Sequence, residues 1–401
     1  MTRRRALALS CLGASLTGGC AGLTVRSPDA ADEHAHRAGA VQLRWRTELH
    51  QHGLFEPTPE ECASGAVTGG KLVIGSRAGS IVAVDTEHGH IEWATQASGG
   101  IDSQARYDAA HDQVYVGSDD GTLFAVEPGQ GKVRWSYHAK GAIERPPEVG
   151  GDMVYLATAA DKVFALEAAT GKWRWQYDRE TPEGFTIHGY AGPRVFDPAA
   201  GAKAAAAGDS AGRSRAASVL AGFADGYLVS LDGGSGEVVW ARSLAAASDQ
   251  FVDVDSTPTI VGDVVYASSY SGGLYALDAR DGTIRWRIGI EGVGTVRALG
   301  ERLYFAAPRE GLHAATLDGH VVWRQGLTQA GDLTTPTAAG RLLVFSGSRA
   351  GLFIVDRDSG KLLDVFNPGS GICAPATLDP AGGRLYVLSN GGALYALDLA
   401  G

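Results

Sequence analysis

The sequence predicts an all-β protein, an eight-bladed β-propeller whose ring is closed by an N-terminal strand placed in the last blade. Three observations carry this. First, one strand–turn–strand signature recurs with a period of about 40 residues, the mark of four-stranded blades. It reads IVAVDTEHGHIEW to Trp93, LFAVEPGQGKVRW to Trp135, VFALEAATGKWRW to Trp175, LVSLDGGSGEVVW to Trp240, LYALDARDGTIRW to Trp286, LHAATLDGHVVW to Trp323 and LFIVDRDSGKLLD to Asp364. Second, the final copy, LYALDLAG, reaches Gly401 without a fourth strand, while VQLRW, ending at Trp45, is an orphan fourth strand near the start. Third, the chain holds 56 glycines without a collagen period, which suits many short strands joined by tight turns.

Residues 1–19 read as a secretion signal: Arg3 to Arg5, then the apolar run Ala6 to Leu16, too short to stay in a membrane as a spanning helix. Thr17-Gly18-Gly19-Cys20 resembles a bacterial lipobox, so Cys20 is expected to carry lipid, and Ala21 after it resembles the pattern sorted to the outer membrane. Residues 20–40 are the lipidated Cys and a polar, aperiodic tether, and the propeller is expected over 41–401.

Within the propeller, Asp253 to Trp286 gives the clearest unit. Ser256 to Val261 is its first strand. Asp263 to Ser269 alternates like a half-buried second strand, and Gly272-Gly273 turns into a third strand, Leu274 to Asp278. Asp278 to Gly282 is a tight turn, the carboxylate accepting backbone N–H groups and Gly taking the left-handed position, and Thr283 to Trp286 is the fourth strand. The recurrent Trp is expected at the blade's edge, packed on the next blade. An Ala/Gly/Ser-rich insert, residues 197–218, interrupts blade four and reads as a surface loop.

The net charge of −10, with no basic stripe, argues against a nucleic-acid partner. The recurrent acids (Asp85, Glu127, Glu167, Asp232, Asp278, Asp356, Asp398) are turn formers at one structural position. The pairs His34/His36, His50/His52 and His88/His90 have no third ligand at metal spacing, so no metal or cofactor is expected. Cys11 leaves with the signal and Cys20 is lipidated, leaving Cys62 and Cys373. In register, Glu61-Cys62-Ala63-Ser64 aligns with Ile372-Cys373-Ala374-Pro375, both at the start of the innermost strands, those of blades one and eight. Neighbouring inner strands converge at the channel, so the pair is read as a disulfide stapling the closure, the alternative being two separate thiols.

The repeat resembles the one named for pyrroloquinoline-quinone (PQQ) enzymes, but the vicinal cysteines that accompany the cofactor there are absent. With its lipobox, tether and eight PQQ-like blades, the chain resembles the BamB family of outer-membrane protein assembly lipoproteins. That resemblance implies a non-catalytic scaffold on the periplasmic face of the outer membrane, docking the POTRA domains of a BamA-like insertase, with nascent outer-membrane proteins as further partners. It places partner contacts at Asp253 and Asp255, in Asp253-Val254-Asp255-Ser256-Thr257-Pro258, and at Phe185, Ile187 and His188, where the family's Leu-x-Leu-Arg-Gly is replaced by Phe185-Thr186-Ile187-His188-Gly189. His188 in place of Arg makes that donor pH-dependent. The alternatives are a periplasmic scaffold for another envelope partner and a quinoprotein-like enzyme.

Overall fold

A computed structural model describes residues 39–49, 60–180, 190–198, 217–245, 251–327 and 330–400. Eight four-stranded antiparallel sheets follow one another around a ring. Blade one is Ala66–Thr68, Lys71–Ser76, Ser80–Asp85 and Ile91–Gln96, running from the channel outward. Blade five repeats it as Thr259–Val261, Val264–Ser269, Gly273–Asp278 and Ile284–Ile288. Blade eight takes three strands from the C-terminal end, Thr377–Leu378, Arg384–Leu388 and Ala393–Leu399, and its outer strand from Val41–Glu48. Val41 pairs with Leu399 and Glu48 with Ala393, so this is the closure expected from the orphan Trp45 strand.

The expected half-buried second strand is not what forms. In Val264–Ser269 every residue after Val264 is buried, and Leu342–Gly347 in blade seven is buried throughout. The reason is radial: a middle strand has a neighbouring blade against each face, so both faces enter a core. Only outer strands such as Ile91–Gln96 keep alternating exposure. Accordingly there are eight apolar clusters, set between adjacent blades, rather than one central core. The first strand of blade five is also shorter than expected, because Pro258 has no N–H for the ladder and pairing begins at Thr259. The blade-four insert ends sooner than expected: Ser218 opens the strand Ser218–Gly222, and residues 199–216 lie outside those described.

The recurrent Trp sits inside the outer strand, not at its end. Every outer strand carries a β-bulge immediately before the Trp position; in blade five Ala276 pairs with Trp286 and Leu277 with Ile284, so Arg285 is the extra residue. The bulge turns the indole toward the next blade. There its Nε1 donates to a backbone carbonyl at 3.0–3.1 Å: Trp45 to Thr86, Trp93 to Pro128, Trp135 to Ala168, Trp175 to Gly233, Trp240 to Ala279, Trp286 to Leu317, Trp323 to Arg357. The ring lies over a turn glycine of the same blade. Gly282 has φ +71°, and a Cβ there would sit 2.6 Å from the Trp240 ring, so two constraints select glycine.

Asp364 replaces Trp in blade seven for a structural reason. Blade eight reaches its outer strand from the N-terminal segment, not through a turn, so it presents no glycine and carbonyl there. It presents the N–H groups of Ala40 and Val41, and Asp364 Oδ2 accepts both, at 3.0 and 3.3 Å. A carboxylate is the complement of two donors, as an indole N–H is of a carbonyl. At the inner rim, Cys62 and Cys373 are joined in a disulfide with Cα atoms 5.2 Å apart.

Trp175→Ala is expected to lower unfolding free energy in urea by about 3–5 kcal/mol, and Trp175→Phe by less, since it keeps the ring and forfeits one hydrogen bond. Reduction of denatured protein is expected to release two thiols beyond those titrated before reduction, and Cys62→Ser/Cys373→Ser to cost about 2–5 kcal/mol.

Candidate functional site

The inner strands enclose a central cavity of about 1320 Å³. Their first residues form a ring, one per blade, and several bond to the next blade's chain. Thr259 Oγ1 donates to Val296 O at 2.5 Å, Thr337 Oγ1 to Ala376 O at 2.8 Å, and Thr377 Oγ1 to Gly65 O at 3.1 Å. Arg194 and Arg297 make the same bridge through Nε, to Pro258 O and Pro336 O, each at 3.2 Å. Glu148 at the equivalent place in blade three sits between Arg106, the first inner-strand residue of blade two, at 3.3 Å and Arg194 at 3.2 Å. Burial, and then the charge of Arg194, pull the pKa of Arg297 down.

Four residues ahead of the inner strands lies a second set of equivalent positions: Cys62, Asp102, Glu144, Asp255 and Cys373, all lining the cavity. Burial pushes the carboxyl of Asp102 up, against the pull of Arg77, whose Nη1 is 2.9 Å away; the nearby carboxylates of Glu61 and Glu144 push the same way as burial. Asp255 is half-buried, with protein on most sides. Burial raises its pKa, Arg145 opposes the rise and Asp253 adds to it. Asp253 is 2% exposed. The pair expected to offer two carboxylates to a partner is therefore divided: Asp255 lines the channel, while Asp253 is enclosed like its neighbour Val254.

Phe185, Ile187, His188 and Cys20 lie outside the described residues. The residues following the loop are described. Tyr190 OH accepts from Glu144 N at 2.8 Å and donates to Ala142 O, and Arg145 Nε donates to Tyr190 O at 3.0 Å. Gly192 N then donates to Thr257 Oγ1 at 3.1 Å. The chain leaving the blade-four loop is thus fastened to the Asp253–Pro258 segment and to blade three.

Among the described residues, one group of metal-type ligands gathers: Glu60, Cys62 and Cys373. With both sulfurs in the disulfide, one carboxylate remains, which is not a ligand set. The channel charges Asp102, Glu144, Arg145, Arg194 and Arg297 were missed in the sequence, because each inner strand is only about three residues long. Their signal is positional, and it emerges only when repeats are aligned on the inner strand instead of on Trp.

The profile of a family described as "Outer membrane protein assembly factor BamB" matches residues 103–318, more than half of the chain. A curated protein of that description from Legionella pneumophila (strain Paris) is 32% identical over 190 residues, 45% of this chain and 48% of its own length. The chain spans about half the length of the curated relatives it matches. Among solved structures, BamB from Moraxella catarrhalis superposes with a TM-score of 0.72 at 22% identity, covering 90% of this chain and 100% of that one. A quinohemoprotein alcohol dehydrogenase from Pseudomonas putida HK5 superposes with a TM-score of 0.64 at 13% identity, over 93% and 79% of the two chains. At these identities both likenesses concern the fold alone.

Because the folded-state pKa of Asp255 lies above its unfolded value near 4, ionised Asp255 opposes folding at neutral pH, and the opposition disappears below that unfolded value. Asp255→Asn is expected to melt above the wild type at neutral pH, the gap closing as pH falls to about 4. An equal or lower melting temperature at neutral pH would show that the pull of Arg145 outweighs burial.

Proposed function

The chain belongs to the BamB family of outer-membrane protein assembly factors, and from that premise we propose that it is a non-catalytic scaffold of the outer-membrane β-barrel assembly machinery. In this reading it is held by lipid on Cys20 at the periplasmic face and docks the POTRA domains of a BamA-like insertase, with nascent outer-membrane proteins as passing clients. The observation that carries the reading is that the family match over residues 103–318 takes in both expected docking segments. The geometry supports a shared docking face, since Gly192, just beyond the Phe185–His188 segment, bonds to Thr257 beside Asp255. A rigid propeller with separate cores between its blades suits a scaffold, because a partner can grip one blade's loops without reshaping the rest.

The enclosed position of Asp253 changes which contacts are proposed. Asp255, Phe185, Ile187 and His188 are the contact candidates, while Asp253 supports them from within: its backbone carbonyl accepts from Tyr270 N at 3.0 Å. An arginine at 253 would be buried and would test folding instead of docking.

The test is capture of the same organism's BamA periplasmic domains by the purified chain, wild type against Phe185→Ser/Ile187→Ser and against Asp255→Asn, with circular dichroism as the fold control. The expected result is capture by the wild type and a loss of about tenfold or more in affinity for the double variant. Capture unchanged in both variants would keep the assembly role and discard the site. No capture by the wild type would move the reading to a scaffold for another envelope partner.

A further inference from the structure

We propose that the central channel contains an oxyanion site centred on the Arg297 guanidinium, taking the phosphate or carboxylate group of a small ligand. The inner ring shows what its positions need structurally. In blades five, seven and eight a threonine hydroxyl bridges to the next blade's carbonyl. Arg297 achieves that same bridge with Nε alone, at 3.2 Å from Pro336 O. Arg297 lines the cavity, and among the described residues no carboxylate forms an ion pair with it. Arg194, two blades away, is different: its Nη1 meets both oxygens of Glu148, at 3.2 and 3.3 Å.

Threonine would therefore suffice for the architecture at position 297, and the positive charge is surplus to it. Arg297 is open to the channel's solvent, yet the protein around it and the charge of Arg194 both disfavour its charged form. An oxyanion would offset both, accepting from a planar fork already fixed at Nε, so little side-chain freedom is lost on binding. The triad Arg106–Glu148–Arg194 keeps one net positive charge on the same ring and adds to the attraction.

The chemistry also limits what can enter. Asp102, Glu144 and Asp255 occupy the neighbouring ring, so the field changes sign along the channel. A long polyanion would be repelled there. A small phosphate or carboxylate, or a ligand carrying a cation beside its anion, is matched to the sequence of charges.

The experiment is a set of thermal melts of the purified full chain in sodium phosphate, sodium acetate and sodium chloride at equal ionic strength. The variants are Arg297→Thr and Arg309→Thr, the second removing an exposed surface charge. The expected result is a saturable rise in melting temperature with phosphate, acetate or both, present in the wild type and in Arg309→Thr. In Arg297→Thr the apparent affinity should fall about tenfold or more. A response to one anion names the class; a response to both defines a general oxyanion site. Three results would overturn the proposal: no rise beyond that in chloride, an equal rise in Arg297→Thr, or Arg297→Thr less stable than the wild type in chloride alone. The last would make the guanidinium a structural member of the ring.

Discussion

The structure depends on one repeated contact: an indole from one blade placed on a glycine of the next, with its N–H on that blade's backbone carbonyl. A propeller blade has no partner within its own sheet for the faces of its middle strands, so it is stable only if the neighbour arrives at a fixed angle and depth. The Trp fixes both, because the ring sets the distance and the N–H sets the rotation. In four blades a tyrosine of the second strand strengthens the lock by donating toward the same carbonyl. Tyr115 and Trp135 meet at Ala168, Tyr155 and Trp175 at Gly233, Tyr266 and Trp286 at Leu317, and Tyr386 joins Trp45 at Thr86. A buried carbonyl with two lone pairs is thereby satisfied twice.

Where the repeat breaks, chemistry changes to suit. The blade-seven to blade-eight contact has no turn to receive an indole, and an aspartate takes the exposed backbone donors instead. The blade-eight to blade-one contact adds groups of another kind to its Trp45 lock. Arg384, held by Asp398 of its own blade at 2.6 Å, reaches Thr86 O at 2.7 Å and Glu87 at 3.0 Å across the boundary, Thr377 bonds to Gly65, and the disulfide sits at the inner rim. These groups tie blade one to the three C-terminal strands of blade eight, which the chain otherwise reaches only through the outer strand Val41–Glu48.

Most of the ring was legible in the sequence because its determinants are local and periodic: Asp and Gly at fixed offsets, an aromatic anchor, and an orphan strand at one end matching a missing strand at the other. The aligned cysteines were legible for the same reason. What could not be read depends on the neighbour across a blade boundary. Alternation in Asp263–Ser269 suggests one wet face, and only radial stacking buries both. Asp253 and Asp255 look alike as a pair, yet the packing around them encloses the first and leaves the second lining the channel. The tyrosines of the second strands recur as plainly as the tryptophans, but their role appears only once both are seen to reach one carbonyl. The channel arginines belong to strands too short to leave a pattern.

The position of the closing strand has a mechanical consequence. Tension entering at residues 39–40 falls first on the strand Val41–Glu48, held by its ladder to Ala393–Leu399 and by Asp364. If that strand were stripped away, the load would next reach Cys62, which is covalently tied to Cys373 of the blade just stripped. Unravelling from the N-terminal side therefore stops after one strand and a short connector. The remaining blades stay in a continuous loop of chain, and the released strand stays near its groove and can return to it. The ring behaves as a clasp that can open by one tooth without coming undone.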